Sequence, residues 1–185
     1  MILNNTDIAN IVRECEHQDA MYPIEVAGMT AAYVAVKQAS GDRRFGAIRF
    51  PPRSLGEEDL AWVCQLATLI EPCNREKFRF GVITIWDEET GSWESNPDGV
   101  VHYKLIPRAM ESLFDAISEG RITPDEFYQE FETIHPFADG NGRVGNILWR
   151  YFNSFEIGDK SWELENPPLF INKKKIFRRK KKENK

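Results

Sequence analysis

Apolar residues recur at helical spacing along most of the chain. Ile8, Ile11, Val12 and Cys15 follow the period of an amphipathic helix over residues 6–19. The same kind of pattern predicts further helices over 30–39, up to about Ile70, from Pro107, into Ile134 and over 143–156. The chain is therefore predicted to be mainly α.

Two of these helices have capping residues at their starts. Ser54 stands three residues before Glu57, and Thr123 stands three residues before Glu126. At this spacing the two side chains can satisfy each other's backbone N–H groups, which is the capping-box arrangement. Pro124, at the first helical position, supports the second start. We therefore expect helices to begin shortly after Ser54 and directly after Thr123.

Residues 78–103 have the pattern of a β-hairpin instead. FRFGVITIW (78–86) is rich in β-branched and aromatic residues, which favours a strand. Turn-forming residues fill 87–99, and VVHY (100–103) can form a second short strand. The pattern predicts strands near 82–86 and 100–103, joined by a long loop.

Composition is that of an ordinary soluble protein. The 185 residues suffice for one domain with a core, and 42% are apolar and 29% charged. No apolar run approaches the roughly 18 residues of a membrane span, and the N-terminus lacks the order of a secretory signal. The cysteines suit no metal-ligand pair and are interpreted as reduced thiols. We expect a cytoplasmic protein, or one of the host cytosol if the chain is a phage product or an effector.

Charge is distributed unevenly along the chain. Residues 173–185 (KKKIFRRKKKENK) contain nine Lys or Arg and one Glu, a net charge of +8. Since the whole chain carries −5, the residues before this tail carry −13. An acidic body argues against general nucleic-acid binding, whereas the tail can contact an acidic partner, an anionic membrane or nucleic acid.

The segment HPFADGNGRVGN (135–146) concentrates polar and flexible residues between two predicted helices. Glycines just before a helix let an anion approach the unpaired N–H groups of its first turn. Gly140, Asn141 and Gly142 are therefore predicted to form a phosphate-binding nest. Arg143 adds a fixed positive fork for phosphoryl oxygens.

Two further side chains of this segment supply chemistry. Asp139 is an isolated carboxylate beside the nest, and Mg²⁺ is commonly held by one or two acids together with phosphate oxygens. His135, with an ordinary pKa of about 6.5, can take a proton at neutral pH. A base, a metal ligand, a phosphate nest and an arginine together suit transfer of a phosphorus-containing group to a hydroxyl.

HPFADGNGR (135–143) resembles the signature of the Fic (Fic/Doc) family, H-x-F-x-[D/E]-G-N-[G/K]-R-x-x-R. FRFGVITI, IPRAMESLF and EFYQEFETIHPF follow in the order of similar family segments, so the resemblance covers residues 78–156. It implies a Fic-type helical bundle with a small β-hairpin flap. We expect an N-terminal helical region (1–77) packed on a Fic core (78–157), and a C-terminal extension (158–185) with the basic tail.

Most Fic proteins transfer AMP from ATP to a Ser, Thr or Tyr hydroxyl of a target protein, and the resemblance implies this activity. His135 would be the general base, Asp139 would hold Mg²⁺, and the target would dock along the flap near 82–103. The implied ATP-binding residues are Gly140, Asn141, Gly142, Arg143 and Asn146. In family members a lysine in place of Gly142 accompanies transfer of the terminal phosphate, so glycine favours AMP transfer.

Asn146 departs from the family pattern, which has its last arginine at this position. In family members that arginine helps to bind the distal phosphates or pairs with an inhibitory glutamate, and its loss removes a charge contact worth about 2 kcal/mol. Arg150, one turn further along the predicted helix, is an alternative source of this charge. Weak use of ATP, a different donor and a degenerate enzyme are the possible consequences.

Three functions therefore stay open. AMP transfer leads because His135, Asp139 and Arg143 are all present. A Fic-fold enzyme with another phosphate-containing donor, or with a nucleotide or nucleic acid as acceptor, is suggested by Asn146 and the basic tail. A catalytically weak nucleotide-binding interaction module is the third, because a fold alone does not choose among functions.

Many Fic proteins are held inactive by a glutamate in the pattern [S/T]-x-x-x-E-[G/N]. SWELEN (161–166) fits this pattern, but the two prolines after it disfavour a long helix, so a chance match is the preferred interpretation. SLGEED (54–59) fits only in part. Without such a glutamate, inhibition would come from a separate partner or be absent.

Overall fold

The computed structural model describes residues 3–42, 57–87, 91–95, 100–165 and 167–168. Within these ranges the chain forms six α-helices and one two-stranded antiparallel sheet. The prediction of a mainly α fold is therefore confirmed. The Ser54 cap, residues 54–56 of SLGEED and the basic tail lie outside the described residues, whereas residues 57–59 form the start of α3.

The elements follow one another in a simple order. The helices are α1 (Asn5–His17), α2 (Pro23–Asp42), α3 (Glu57–Ile70), α4 (Ile106–Ser118), α5 (Pro124–Ile134) and α6 (Asn141–Ile157). The strands are β1 (Thr84–Asp87) and β2 (Ser92–Ser95), and short 3-10 turns lie at Pro72–Asn74, Tyr103–Leu105 and Gly158–Glu163. In the described ranges, no helix combines the length and the apolar character that a membrane crossing requires.

Helix α1 begins with a capping box, in which Asn4 and Asp7 each accept the other's backbone N–H. Its buried face is more polar than predicted, because Ile8 is 50% exposed. The buried residues are Asp7, Asn10, Ile11, Glu14 and Cys15. Helix α1 therefore presents polar side chains to the interior, where they require polar partners.

Helix α5 starts as predicted from Thr123. The Thr123 hydroxyl accepts the N–H of Glu126, and the Glu126 carboxylate accepts the N–H of Thr123. The helix ends at Ile134, and His135 follows in a left-handed backbone conformation with φ 51° and ψ 62°. The capping box and this ending together determine where the chain delivers His135.

Helix α6 lies at the centre of the fold. All of its residues from Asn141 to Phe152 are buried, and α2, α3 and α5 pack against it. The Phe152 ring lies 4.5 Å from that of Phe127 in α5, and Phe114 of α4 packs on both. Because α6 is covered on all sides, its polar side chains need partners inside the protein or in a ligand.

The hairpin is shorter than predicted. Its register pairs Thr84 with Ser95 and Asp87 with Ser92, so the second strand expected at 100–103 is wrong. Gly91, at φ +61°, lets the chain reverse close to the end of β1. Residues 100–103 instead lead into a 3-10 turn and then into α4.

Arg150 fastens the end of the described chain to α6. The side chain is 1% exposed, and Nη1 and Nη2 donate to the carbonyls of Leu164 and Glu165 at 2.6 and 3.0 Å. Nη1 also lies 3.5 Å from the Ser161 carbonyl, and Nε donates to Asn146 Oδ1 at 2.8 Å. Removal of this guanidinium would leave several carbonyls without a donor.

We expect Arg150→Met to lower the free energy of unfolding by about 3 kcal/mol, because Met keeps the apolar stem and loses the donors. Urea unfolding followed by circular dichroism measures this change. Arg108→Met, at an exposed position of α4, is the matched control and should change the midpoint little. Equal midpoints for the two variants would contradict a structural role of Arg150.

Candidate active site

His135 is positioned by the end of α5, which precedes it, and by Arg79, which is 56 residues away in sequence. Its N–H donates to the carbonyl of Phe131, which closes the end of α5. Its own carbonyl accepts Nε of Arg79 at 2.6 Å. The left-handed backbone costs about 1–2 kcal/mol for a residue with a side chain. These contacts hold it in that conformation.

The imidazole of His135 is neutral at pH 7. Burial, and then the Arg79 guanidinium, lowers the pKa of His135 to about 4. A hydrogen bond to the backbone carbonyl of Glu132 and the charge of Asp139 act in the opposite direction. A neutral imidazole has a lone pair with which it can accept a proton.

The loop after His135 is closed by Asn141. Its side chain accepts the N–H of Phe137 at 2.9 Å and donates to the Phe137 carbonyl at 3.0 Å. Phe137 is fully buried, and its ring lies 5.6 Å from that of Phe78. The amide of Asn141 therefore shapes the loop, and any anion contact at this position would come from the backbone.

The N-terminus of α6 has the form of an anion site. Gly140 is its N-cap at φ +75°, and the first helical bond runs from the Val144 N–H to the Gly140 carbonyl. The N–H groups of residues 141–143 therefore precede the ladder of helical bonds. A Cβ at position 142 would lie 2.5 Å from the far end of the exposed Gln18 side chain, which is flexible and would have to move aside.

Arg143 is the polar residue of α6 whose pairing is incomplete. It is 2% exposed, and Nη2 lies 3.4 Å from the Glu71 carboxylate. Its Nε and Nη1 atoms are buried and have no hydrogen-bond partner among the described residues. Two buried donors at a helix N-terminus fit a phosphate group, so the predicted nest and arginine do lie together.

Asp139 is suited to hold a metal ion together with a phosphate. Its side chain is exposed, and Oδ1 accepts the N–H of Gly140. The Asn74 side chain accepts the N–H of Asp139 at 3.4 Å and donates to the Asp139 carbonyl at 3.1 Å. Across the described ranges no three His, Cys, Asp or Glu residues converge on one point. A metal here would therefore depend on Asp139 and on the ligand's oxygens, which is a mode that Mg²⁺ accepts.

Both polar atoms of Asn146 are engaged within the protein. Nδ2 donates to Glu14 Oε2 at 2.7 Å, and Oδ1 accepts Nε of Arg150 at 2.8 Å. Arg150 is itself committed to the carbonyls of the C-terminal segment. The structure therefore directs the Arg150 guanidinium away from the role of a substitute phosphate ligand.

Two buried carboxylates beside α6 were not predicted. Oε1 of Glu14 and Oε1 of Glu132 are both buried without a hydrogen-bond partner in the described part of the chain. Burial, and then the charge of Glu14, raises the pKa of Glu132 to about 7. Burial also raises the pKa of Glu14, against the opposing effects of His17, Asn146 and Arg150. Gly145 gives Glu132 room, because a Cβ there would lie 3.1 Å from Oε1.

One sequence signal could have identified the acid on α1. Asp7, Asn10 and Glu14 recur at the spacing of a helix face, beside the apolar stripe of the same helix. Polar residues at such positions suggest a polar contact with another element. Arg79 and Glu71 carry no comparable signal, since their partners are distant in sequence.

The described residues of the candidate inhibitory pattern SWELEN do not form an α-helix. Ser161 lies in the 3-10 turn Gly158–Glu163, and the Glu165 side chain is exposed. The backbone of this segment binds Arg150. Asn166, the last residue of the pattern, lies outside the described residues.

Residues 94–152 match the model of the Fic/DOC family. A Fic-domain-containing signalling protein of Bacteroides thetaiotaomicron is 20% identical with a TM-score of 0.51, over 81% of this chain and 56% of that one. A Fic family protein of Desulfovibrio desulfuricans is 18% identical with a TM-score of 0.45, over 88% of this chain and 61% of that one. The chain thus spans less than two thirds of the length of either protein. No curated protein matches the sequence.

The matched range 94–152 runs from the end of β2 into α6 and includes the loop after His135. At 20% identity, the likeness to the Bacteroides structure concerns the fold. The roles of individual side chains therefore follow from the geometry of the site.

We expect Glu132→Gln to stabilise the protein at pH 8 and to change its stability little at pH 4.5. Folded Glu132 keeps its proton up to about pH 7, whereas the ordinary value is 4.5, so wild-type stability falls as pH rises through this window. Glutamine cannot ionise, and the gain at pH 8 should be on the order of 1–2 kcal/mol.

Thermal unfolding at the two pH values measures this effect. Glu130→Gln, at an exposed position of the same helix, is the matched control and should show no such pH dependence. An equal shift at both pH values in Glu132→Gln would argue against a buried, protonated carboxyl.

Proposed function

Because the chain belongs to the Fic/DOC family, we propose that it transfers AMP from ATP to a Ser, Thr or Tyr hydroxyl of a target protein. Members of this family are typically transferases. The observation that carries the proposal is Arg143, which is buried and has two donor atoms unpaired among the described residues. Unpaired buried donors cost about 1–3 kcal/mol, which a bound phosphate would offset.

In the proposed reaction, neutral His135 takes the proton of the target hydroxyl while its oxygen attacks the α-phosphorus of ATP. A bond forms between this oxygen and phosphorus. The bond from the α-phosphorus to the bridging oxygen breaks, and pyrophosphate leaves with that electron pair. The N–H groups of residues 141–143 and the Arg143 side chain stabilise the charge on the phosphoryl oxygens.

Asp139 would hold the metal ion of the reaction. Mg²⁺ bound there neutralises charge on the phosphates. Asn74 fixes the backbone of Asp139, and the side chain is exposed towards a ligand. This arrangement supports a metal that arrives together with the nucleotide.

The target protein would dock along the hairpin flap, near 82–103. A two-stranded sheet leaves strand edges to which an extended target segment can add. Phe80 and Val82, directly before β1, are 85% and 59% exposed. Exposed apolar side chains beside the reaction site are typical of a surface that contacts another protein.

One observation favours a second donor class. Asn146 stands where the family has its last arginine, and it binds the buried carboxylate of Glu14. Arg143, meanwhile, is paired with Glu71. A site that lacks the last family arginine, and whose Arg143 is paired with Glu71, is less favourable to a third phosphate. It suits a nucleoside diphosphate donor with a neutral or cationic distal group. The target hydroxyl, deprotonated by His135, would then take the nucleoside monophosphate, and the phosphorylated distal group would leave with the electron pair of the broken bond.

Incubation with α-³²P-ATP or γ-³²P-ATP and Mg²⁺ in a cell lysate tests the AMP transfer. We expect protein labelling from the α position only, lost in His135→Ala and kept in His17→Ala, an exposed histidine. Label from the γ position alone would contradict the proposed orientation of the nucleotide. No label from either, with ATP binding retained in calorimetry, would contradict transfer from ATP and favour another donor or a binding module.

We expect Asp139→Asn to lower the transfer rate at least about tenfold at low Mg²⁺ and to recover in part as Mg²⁺ is raised, because a weaker ligand shifts metal occupancy. Initial rates over a Mg²⁺ series measure this dependence. Asp159→Asn, at an exposed position after α6, is the control. A Mg²⁺ dependence equal to that of wild type would argue against Asp139 as the metal ligand.

A further inference from the structure

Arg79 is a buried cation beside His135 that the proposed reaction does not use. It lies in the extended segment between the 3-10 turn Pro72–Asn74 and β1, and it is 6% exposed. Within the described residues, the partners of its guanidinium are backbone carbonyls and none is a carboxylate. A buried arginine without a carboxylate requires such dipoles in its place.

One side of Arg79 is bound to the end of α5 and to the first residues of the loop that follows it. Its backbone N–H donates to the Pro136 carbonyl at 2.9 Å. Its Nε donates to the His135 carbonyl at 2.6 Å, and Nη2 lies 3.4 Å from that of Ile134. Arg79 therefore donates to three consecutive carbonyls around the left-handed residue His135.

The other side of Arg79 is bound to the residues that precede and follow the hairpin. Nη1 donates to the Gly81 carbonyl at 3.0 Å, and Nη2 donates to the Val101 carbonyl. Gly81 precedes β1, and Val101 follows β2. The guanidinium thus joins the two ends of the hairpin segment to the backbone of His135.

We propose that Arg79 is a positioning residue. It holds the base His135 at a fixed position relative to the hairpin that binds the target. This inference rests on the proposed transfer reaction. A target segment bound to the hairpin then meets a base whose backbone is fixed to the same guanidinium. Only arginine has a planar fork with enough donors to reach carbonyls of three segments at once, so lysine cannot replace it.

The charge of Arg79 has a second effect on His135. After burial, it is the next cause that lowers the pKa of the imidazole. Asp139 and the carbonyl of Glu132 oppose it. Arg79 therefore favours the neutral imidazole, which is the form that accepts a proton.

Two substitutions separate geometry from charge. Arg79→Met removes both the fork and the charge, whereas Arg79→Lys keeps the charge and loses the fork. Arg75→Met is the matched control, because Arg75 is exposed and lies in the same connecting segment. The measurements are kcat and the KM for ATP over a range of pH, and NMR titration of the His135 ring, assigned with a His135→Asn variant.

We expect Arg79→Met and Arg79→Lys each to lower kcat by at least about tenfold while the KM for ATP changes less than about twofold, since misplacement of a base affects the chemical step. In Arg79→Met the His135 pKa should rise from about 4, and the acid limb of the rate profile should move to higher pH with it. In Arg79→Lys the pKa should stay low.

Three results would overturn the proposal. The first is a kcat in Arg79→Lys equal to that of Arg75→Met. The second is a higher KM for ATP with an unchanged kcat. The third is a His135 pKa unchanged in Arg79→Met. If Arg79→Met does not fold by circular dichroism, Arg79→Lys decides: it must melt near the wild-type temperature and still lose kcat.

Failure of the proposed function is distinguishable from failure of this inference. If the wild-type protein transfers no AMP, the transfer reaction is wrong. The NMR titration of His135 in folded Arg79→Met or, if that variant does not fold, in Arg79→Lys then decides the contact with Arg79 without any activity. An unchanged His135 pKa in folded Arg79→Met would refute that contact. In Arg79→Lys, where the pKa is expected to stay low, an unchanged chemical shift of the His135 ring would refute it.

Discussion

The burial of α6 is the constraint on which the rest of this structure depends. A polar side chain on a helix that is covered on all sides must be paired inside the protein or by a ligand. Asn141 is paired with the loop backbone, Asn146 with α1, and Arg150 with the C-terminal segment. Arg143 keeps two donors unpaired among the described residues. The candidate ligand site thus lies where the pairing of α6 is incomplete.

The same constraint explains the charges around the site. Asparagine at position 146 donates a hydrogen bond to Glu14 but supplies no positive charge, and Glu132 is buried nearby. The pKa of both acids is raised, so the pair holds a proton more readily than exposed carboxylates would. A site with one arginine, already paired with Glu71, presents a weaker positive field to a donor than a site with two.

His135, the proposed base, depends on segments that meet only in the folded protein. The left-handed backbone of His135 costs about 1–2 kcal/mol and persists because the surrounding contacts hold it. Those contacts come from α5, from the loop and from Arg79 at the roots of the hairpin. Arg79 therefore links the segments on either side of the hairpin to the backbone of His135, the proposed base.

Local patterns in the sequence determined the mainly α fold, the capping box at Thr123 and the loop that carries the candidate site, because each depends on residues a few positions apart. The tertiary structure alone decided the roles of Glu14 and Arg79, whose partners lie 132 and 56 residues away. It also decided the second strand, since reversal at Gly91 pairs 92–95 with β1, while Arg79 binds the carbonyl of Val101. Such choices depend on which buried groups find partners across the fold, and a one-dimensional pattern carries no record of distances in space.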